Sequence, residues 1–214
     1  MINKSYLIIT AVLIFNAIPL FSDTQPETVY TEDKYYITSG TLTLNCPIET
    51  ASEILLDLEH YRNWVFLGLG KDEPKEEWRI AYLQDAIYNR EEAVMYVIFG
   101  IHLFQASTRN SSGNSLGFKT EIIKNPDGTL SKVVFSLNEK NPYLREADYG
   151  FELTAAEDKT LIYYFGIVKL APFINFFFNL KIYKSNIEWY AVRLVKNLEI
   201  EADRVQGNLT TSPN

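Results

Sequence analysis

The sequence predicts an α+β domain in which a curved antiparallel sheet packs against one long C-terminal helix. Three observations carry this reading. Apolar residues at Phe176, Leu180, Tyr183, Ile187, Ala191, Leu194, Leu198 and Ala202 step by three or four, the single stripe of a helix of period 3.6 running from Pro172 to about Arg204. Between Trp78 and Leu170, six strand-length segments are separated by turn residues. Short turns between successive strands favour antiparallel pairing. A helix of roughly 45 Å, at about 1.5 Å per residue, needs a partner surface for its stripe, and the sheet needs a cover.

Composition sets the outer bounds. The chain has 214 residues, is 47% hydrophobic and 14% aromatic, and carries a net charge of −7. The first 22 residues contribute only Lys4, so without them the charge is −7 − 1 = −8. This acidity argues against a nucleic-acid partner, whose phosphates require a basic footprint, and against purely electrostatic docking on an anionic membrane. The single cysteine, Cys46, rules out an intrachain disulfide and a cysteine-based metal site. Beside Pro47 at the end of an apolar strand, it reads as a small buried hydrophobe.

Met1–Ser22 reads as an export signal: Lys4 starts it, Tyr6–Ile18 is mostly apolar, Pro19 breaks it, and cleavage is expected near Ser22. The expected location is periplasmic or secreted. The alternative is an N-terminal membrane anchor, for which the apolar run is short. Residues 23–34 are polar and acidic and are expected to form a linker. Tyr35–Asn45 is the first strand, with Tyr35, Ile37, Leu42 and Leu44 on one phase and a bulge or bend at Gly40. Pro47 opens a helix whose buried stripe is Ile48, Ala51, Leu55 and Leu58, with Glu49 and Glu53 suited to its positive end. A second short helix covers Glu59–Val65, and Phe66–Gly70 is an apolar loop.

The six later strands are expected at Glu77–Tyr88, Ala93–Thr108, Ser115–Lys124, Leu130–Asn138, Arg145–Thr154 and Thr160–Leu170. Asn125-Pro126-Asp127-Gly128 is a hairpin turn by its chemistry. In the fifth of these strands Ala147, Tyr149, Phe151 and Leu153 alternate with charged residues and Gly150. Residues 205–214 form a polar tail, so one domain spans residues 35–204.

The first strand running into Cys46-Pro47-Ile48-Glu49-Thr50-Ala51-Ser52-Glu53-Ile54-Leu55-Leu56-Asp57-Leu58-Glu59-His60-Tyr61-Arg62-Asn63-Trp64, together with the long last helix, resembles the START-like superfamily. That group is also called Bet v 1-like, polyketide cyclase or SRPBCC. The resemblance implies a helix-grip fold: seven bent antiparallel strands around the C-terminal helix, two short helices after strand 1, and an apolar pocket between sheet and helix. Members bind lipids, sterols, quinones, polyketides or hormones, and a minority are enzymes. The Gly-rich loop of the plant allergen branch is replaced here by Asn89-Arg90-Glu91-Glu92, so the bacterial branch is the better match.

Pocket residues are expected at Trp64, Phe66, Trp78, Tyr82, His102, Tyr149, Phe151, Tyr183, Ile187, Ala191 and Leu194, with core packing the competing role for each. Arg62, His102, Arg145 and Asp148 are the polar groups available to orient a ligand. His60, on the short helix, is expected to be exposed. The sequence lacks HExxH, GxSxG, Walker A and EF-hand patterns, so no metal, cofactor or catalytic residue is assigned. The expected function is non-catalytic binding or carriage of a hydrophobic, lipid-like molecule. The alternatives are a cyclase/aromatase-type enzyme and an interaction module with a self-filled core. Opposite the main helical stripe, Phe178, Ile182, Trp189 and Ile200 form a second apolar face, suited to cover by Val29, Tyr30 and Tyr36 or to transient membrane contact at Phe178, Ile182 and Trp189.

Overall fold

A computed structural model of the chain describes residues 24–68, 81–101, 114–139, 141–177 and 180–207. In chain order the elements are β1 (Glu27–Tyr30), β2 (Tyr36–Leu44), α1 (Ile48–Leu56), a 3₁₀ turn (Leu58–His60), α2 (Tyr61–Trp64), β3 (Ala81–Asn89), β4 (Val94–Ile101), β5 (Asn114–Lys124), β6 (Leu130–Leu137), β7 (Leu144–Ala156), β8 (Lys159–Leu170), α3 (Pro172–Phe177) and α4 (Leu180–Val205). The strands form one eight-stranded sheet in the order β1-β2-β8-β7-β6-β5-β4-β3, and every described pairing is antiparallel.

The expected architecture holds, with one strand more than the seven read from the sequence. The extra strand is β1, inside the segment expected to be a linker. It pairs with the outer edge of β2, and its Thr28 amide donates to the Glu188 carboxylate on α4 at 2.8 Å. Four residues that lack a strand pattern of their own become a strand because a sheet edge and a helix carboxylate both take up their polar groups.

β2 corrects a second expectation. Its register with β8 runs without a shift from Tyr36↔Val168 to Leu44↔Thr160, so Gly40 is not a bulge. The inward residues are Tyr36, Thr38, Gly40, Leu42 and Leu44, all buried, whereas Tyr35 and Ile37 lie on the other phase. Thr38 is tolerated inside because its hydroxyl pairs with that of Thr28 at 2.8 Å. Gly40 is needed for room: a Cβ there would lie 2.2 Å from the Tyr164 hydroxyl.

α1 is preceded by Pro47 at its N-cap, where the extended backbone suits proline, and it carries Glu49 in its first turn. Its inner face buries Ala51, Ser52, Ile54 and Leu55. The helix is pinned to the sheet where the Leu130 amide donates to Ser52 Oγ at 2.9 Å. Cys46 is fully buried, which pushes its thiol pKa up, and its carbonyl accepts from Thr160 Oγ1 at 2.8 Å. The β5–β6 turn forms as its chemistry predicts: Gly128 sits at φ +91° and its amide donates to the Asn125 carbonyl at 3.0 Å. Where one C-terminal helix was expected, two are described, α3 and α4. No helix among the described residues is long and apolar enough to cross a membrane.

Candidate functional site

The sheet has a buried inner face. Register places Tyr36, Leu42 and Leu44 of β2, Ile162, Tyr164 and Val168 of β8, Ala147, Tyr149, Phe151 and Leu153 of β7, and Val133 and Phe135 of β6 on it. The buried residues of these strands and of α1, α2 and α4 form one hydrophobic cluster.

How α4 lies over this face defines the candidate site. The helix packs closely on α1 and α2, and on β1 and β2 at one edge of the sheet. At its C-terminal end the inward stripe is sealed, with Leu198 1% and Ala202 4% exposed. Further back along the same stripe, Leu194, Ala191, Ile187 and Tyr183 are only half-buried, although they point to the same side. The helix therefore grips at its far end and at the β1–β2 edge, while the middle of its stripe stays partly accessible. Half-buried Tyr149, Leu137, Leu144, Val97 and Leu116 line the core on the sheet side.

Two contacts hold this geometry. Asn197, buried on α4, donates through Nδ2 to the carbonyls of Val65 at 3.0 Å and Leu67 at 2.9 Å, which ties α4 to the end of α2. At the other end the Tyr183 ring lies 4.0 Å from that of Tyr36, whose hydroxyl donates to Asn175 Oδ1 at 2.9 Å. Tyr149 lies over Gly166 of β8, where a Cβ would come within 3.0 Å of its ring, and meets Phe118 edge-on at 5.7 Å. Loss of solvent pushes the Tyr149 phenol up to about 12 and holds that of Tyr183 well above its ordinary value.

The sequence-derived candidates divide accordingly. Tyr149 on the sheet and Tyr183, Ile187, Ala191 and Leu194 on the helix are half-buried, and all but Ile187 pack against the core. Phe151 is buried on the inner face as core, and Trp64, 2% exposed, packs edge-on to Tyr61. Phe66 is half-buried against the same cluster. Tyr82 stands opposite Gly100 on β4, on the phase between Phe99 and Ile101, so it shares the outer face of the sheet rather than the inner one. Trp78 and His102 lie outside the described residues. Of the polar candidates, Arg62 pairs with Asp85 at 3.1 Å, Arg145 is exposed, and Asp148 alternates with Ala147 and Tyr149 onto the outer face. His60 is exposed and bonded to Asp57 through Nδ1 at 2.7 Å.

Two hollows lie elsewhere on the molecule. One of about 310 Å³ is on the outer face, beside the Lys132–Glu152 ion pair and Tyr163. The other, of about 170 Å³, is between the α1–α2 region and the end of α4, at Glu53, His60 and Arg204. Among the described residues no cluster of histidine, cysteine and carboxylate side chains is arranged to hold a metal ion.

The sequence matches no protein-family model and no curated protein. Solved structures match at the level of the fold. The Zhui aromatase/cyclase from Streptomyces sp. R1128 superposes with a TM-score of 0.52 at 12% identity, over 79% of this chain and 94% of that one. The protein XoxI from Bacillus cereus gives 0.52 at 7% identity, over 79% and 97%. StfQ, a di-domain ARO/CYC from the steffimycin biosynthetic pathway, gives 0.51 at 9% identity over 81% of this chain, which spans 52% of StfQ. With its antiparallel sheet, its paired short helices and its gripping C-terminal helix, the chain has the START-like helix-grip fold.

Proposed function

We propose that the protein binds a hydrophobic, lipid-like small molecule between the inner sheet face and α4, and carries it without chemical change. The observation behind this reading is the graded burial of one helical stripe, sealed at Leu198 and Ala202 and half-open from Leu194 back to Tyr183. Apolar side chains left half-exposed inside a fold are paired efficiently only by an apolar guest, whose own burial then supplies affinity. The same grading disfavours a self-filled core, in which the stripe would be sealed along its length. The N-terminal sequence supports export, to the periplasm or outside the cell, as the setting for such a carrier. Ile182 and Trp189 on the outer side of α4 remain the residues suited to touch a membrane during loading, Phe178 lying outside the described residues, and Phe173, 66% exposed at the start of α3, adds to them.

A cyclase/aromatase-type reaction is the second reading, favoured by the activities named for Zhui and StfQ. It requires an acid or base inside the space. Among the described polar candidates, Arg62, Arg145 and Asp148 stand elsewhere, which supports carriage over chemistry.

Ala191→Trp tests the reading by filling the middle of the space. The probe is the neutral dye N-phenyl-1-naphthylamine, whose emission rises in apolar surroundings. The wild type is expected to bind it, and the variant, with a wild-type circular dichroism spectrum, to lose most of that binding. Equal binding by both proteins would overturn the proposal.

A further inference from the structure

Most buried or ring-packed tyrosines in this chain have a hydrogen-bond acceptor. Tyr36 donates to Asn175 Oδ1, Tyr61 to the Leu55 carbonyl, Tyr143 to Asn114 Oδ1 and Tyr164 to the Thr24 carbonyl. Tyr149 and Tyr183 depart from this pattern, as does Tyr88 on the inner face of β3, but only Tyr149 and Tyr183 stand on facing walls of sheet and long helix. Neither hydroxyl has a hydrogen-bond partner among the described residues, and both belong to the core-packed tyrosines of the sheet–helix space. Phenol hydroxyls packed at a core are usually hydrogen-bonded, so two left open inside the fold are free to serve a guest.

The two side chains come from opposite walls. Tyr149 projects from β7, and its ring is fixed over Gly166 and against Phe118. Tyr183 projects from α4, and its ring is fixed on Tyr36. Each ring is thus held while its hydroxyl is left unused, and each side chain keeps accessible surface. Tyr149 is two residues along β7 from Ala147, which shares a register row with Val168 and Tyr36, the ring on which Tyr183 packs, and burial keeps both phenols protonated at neutral pH. Thr120 Oγ1 offers a contrast: it also lacks a partner, but packing closes it off completely, so no guest reaches it.

We propose that the Tyr149 and Tyr183 hydroxyls together hold the oxygen of an apolar guest, which makes the ligand a neutral molecule with a carbonyl or hydroxyl group rather than a hydrocarbon or an anion. A protonated phenol donates to an oxygen lone pair and also accepts from a hydroxyl, so two of them serve either function. An anion is disfavoured because, among the described residues, the charged group acting on Tyr149 is the Asp148 carboxylate. Lys184, next to Tyr183 in sequence, is paired with Glu188 at 3.6 Å. This assignment rests on the reading of the space as a ligand site and narrows it.

The test uses two probes of nearly equal shape, 2-acetylnaphthalene and 2-ethylnaphthalene, against the wild type, Tyr149→Phe, Tyr183→Phe and the double variant. Phenylalanine keeps each ring and removes only the hydroxyl. The double variant is expected to bind the ketone about tenfold more weakly, the loss expected for a hydrogen-bonded group, while its affinity for the hydrocarbon stays within about twofold. The carbonyl stretch of the bound ketone should lie at lower frequency in the wild type and return toward its apolar-solvent position in the double variant. Equal changes for the two probes, or a carbonyl frequency unaffected by the substitutions, would overturn the assignment while leaving the site intact. Failure of both probes to bind the wild type would overturn the ligand-site reading and the assignment with it.

Discussion

The ring of Tyr183 on the long helix lies 4.0 Å from the ring of Tyr36 on β2, tilted by 35°. Tyr30 meets the same Tyr36 ring at 4.6 Å, and the Tyr36 hydroxyl reaches Asn175 on α3. One buried tyrosine therefore joins β1, β2, α3 and α4, and it sets where the helix begins to cross the sheet. Tyr36→Phe should cost about 1 kcal/mol, the net worth of one hydrogen bond, and Tyr36→Ala about 3–5 kcal/mol. Urea unfolding of both variants checks this, and equal losses would show that the hydroxyl, not the ring, does the holding.

Asn197 holds the other end of the helix. Its amide donates to two carbonyls at the end of α2 from a position 3% exposed. Asn197→Ala should cost about 2–3 kcal/mol, because two acceptors lose their donor. Asn197→Asp should cost more, since a carboxylate would then face two carbonyl oxygens. Equilibrium denaturation gives both values, and a neutral Asp variant would contradict this account of the clamp.

Two glycines should respond differently to substitution. A Cβ at Gly150 would lie 2.5 Å from the Val133 carbonyl oxygen and 2.7 Å from the Phe165 ring, so Gly150→Ala should destabilise by about 1–3 kcal/mol through overpacking. At Gly128 a Cβ meets nothing within 4 Å, and the cost arises only from its φ of +91°. Gly128→Asn should therefore recover part of what Gly128→Ala loses, whereas Gly150→Asn should be worse than Gly150→Ala. Melting temperatures of the four variants decide the matter.

The Tyr149 phenol predicts an alkaline limit. Its pKa rises from 10.0 to about 12 in the folded protein, first through burial and then through the charge of Asp148. A folded-state pKa above the unfolded value gives stability that is fully present below about pH 10 and is lost as pH rises toward about 12. Unfolding free energy should fall across that window in the wild type, and less steeply in Tyr149→Phe. Parallel curves would show that this phenol does not titrate late.

Much of this arrangement was legible in the sequence, and the exceptions have physical reasons. Period 2 in β7 and period 3.6 in α4 put Tyr149 and Tyr183 on inward faces, because each pattern is set by local geometry. The inner phase of β2 was not legible. Thr38 and Tyr36 are acceptable inside only because Thr28 and Asn175 supply partners, and those come from elsewhere in the chain. Likewise β1 is a strand through the edge of β2 and the carboxylate of Glu188, neither of which its own residues announce. Tyr82 was misplaced for a related reason: a register shift between Leu83 and Asp85 changes which residues face inward, and alternation counted along one strand cannot detect it. The proposed joint role of Tyr149 and Tyr183 needed the sheet order, in which β7 lies two strands from β2.

The central claim, an apolar guest between sheet and helix, is tested most directly by native mass spectrometry of the full chain, produced with its own N-terminal segment and purified without detergent. The account predicts a small-molecule adduct that organic extraction removes, and that Ala191→Trp does not carry. A bare chain mass, unchanged after incubation of the wild type with a lipid extract of the producing cells, would contradict it.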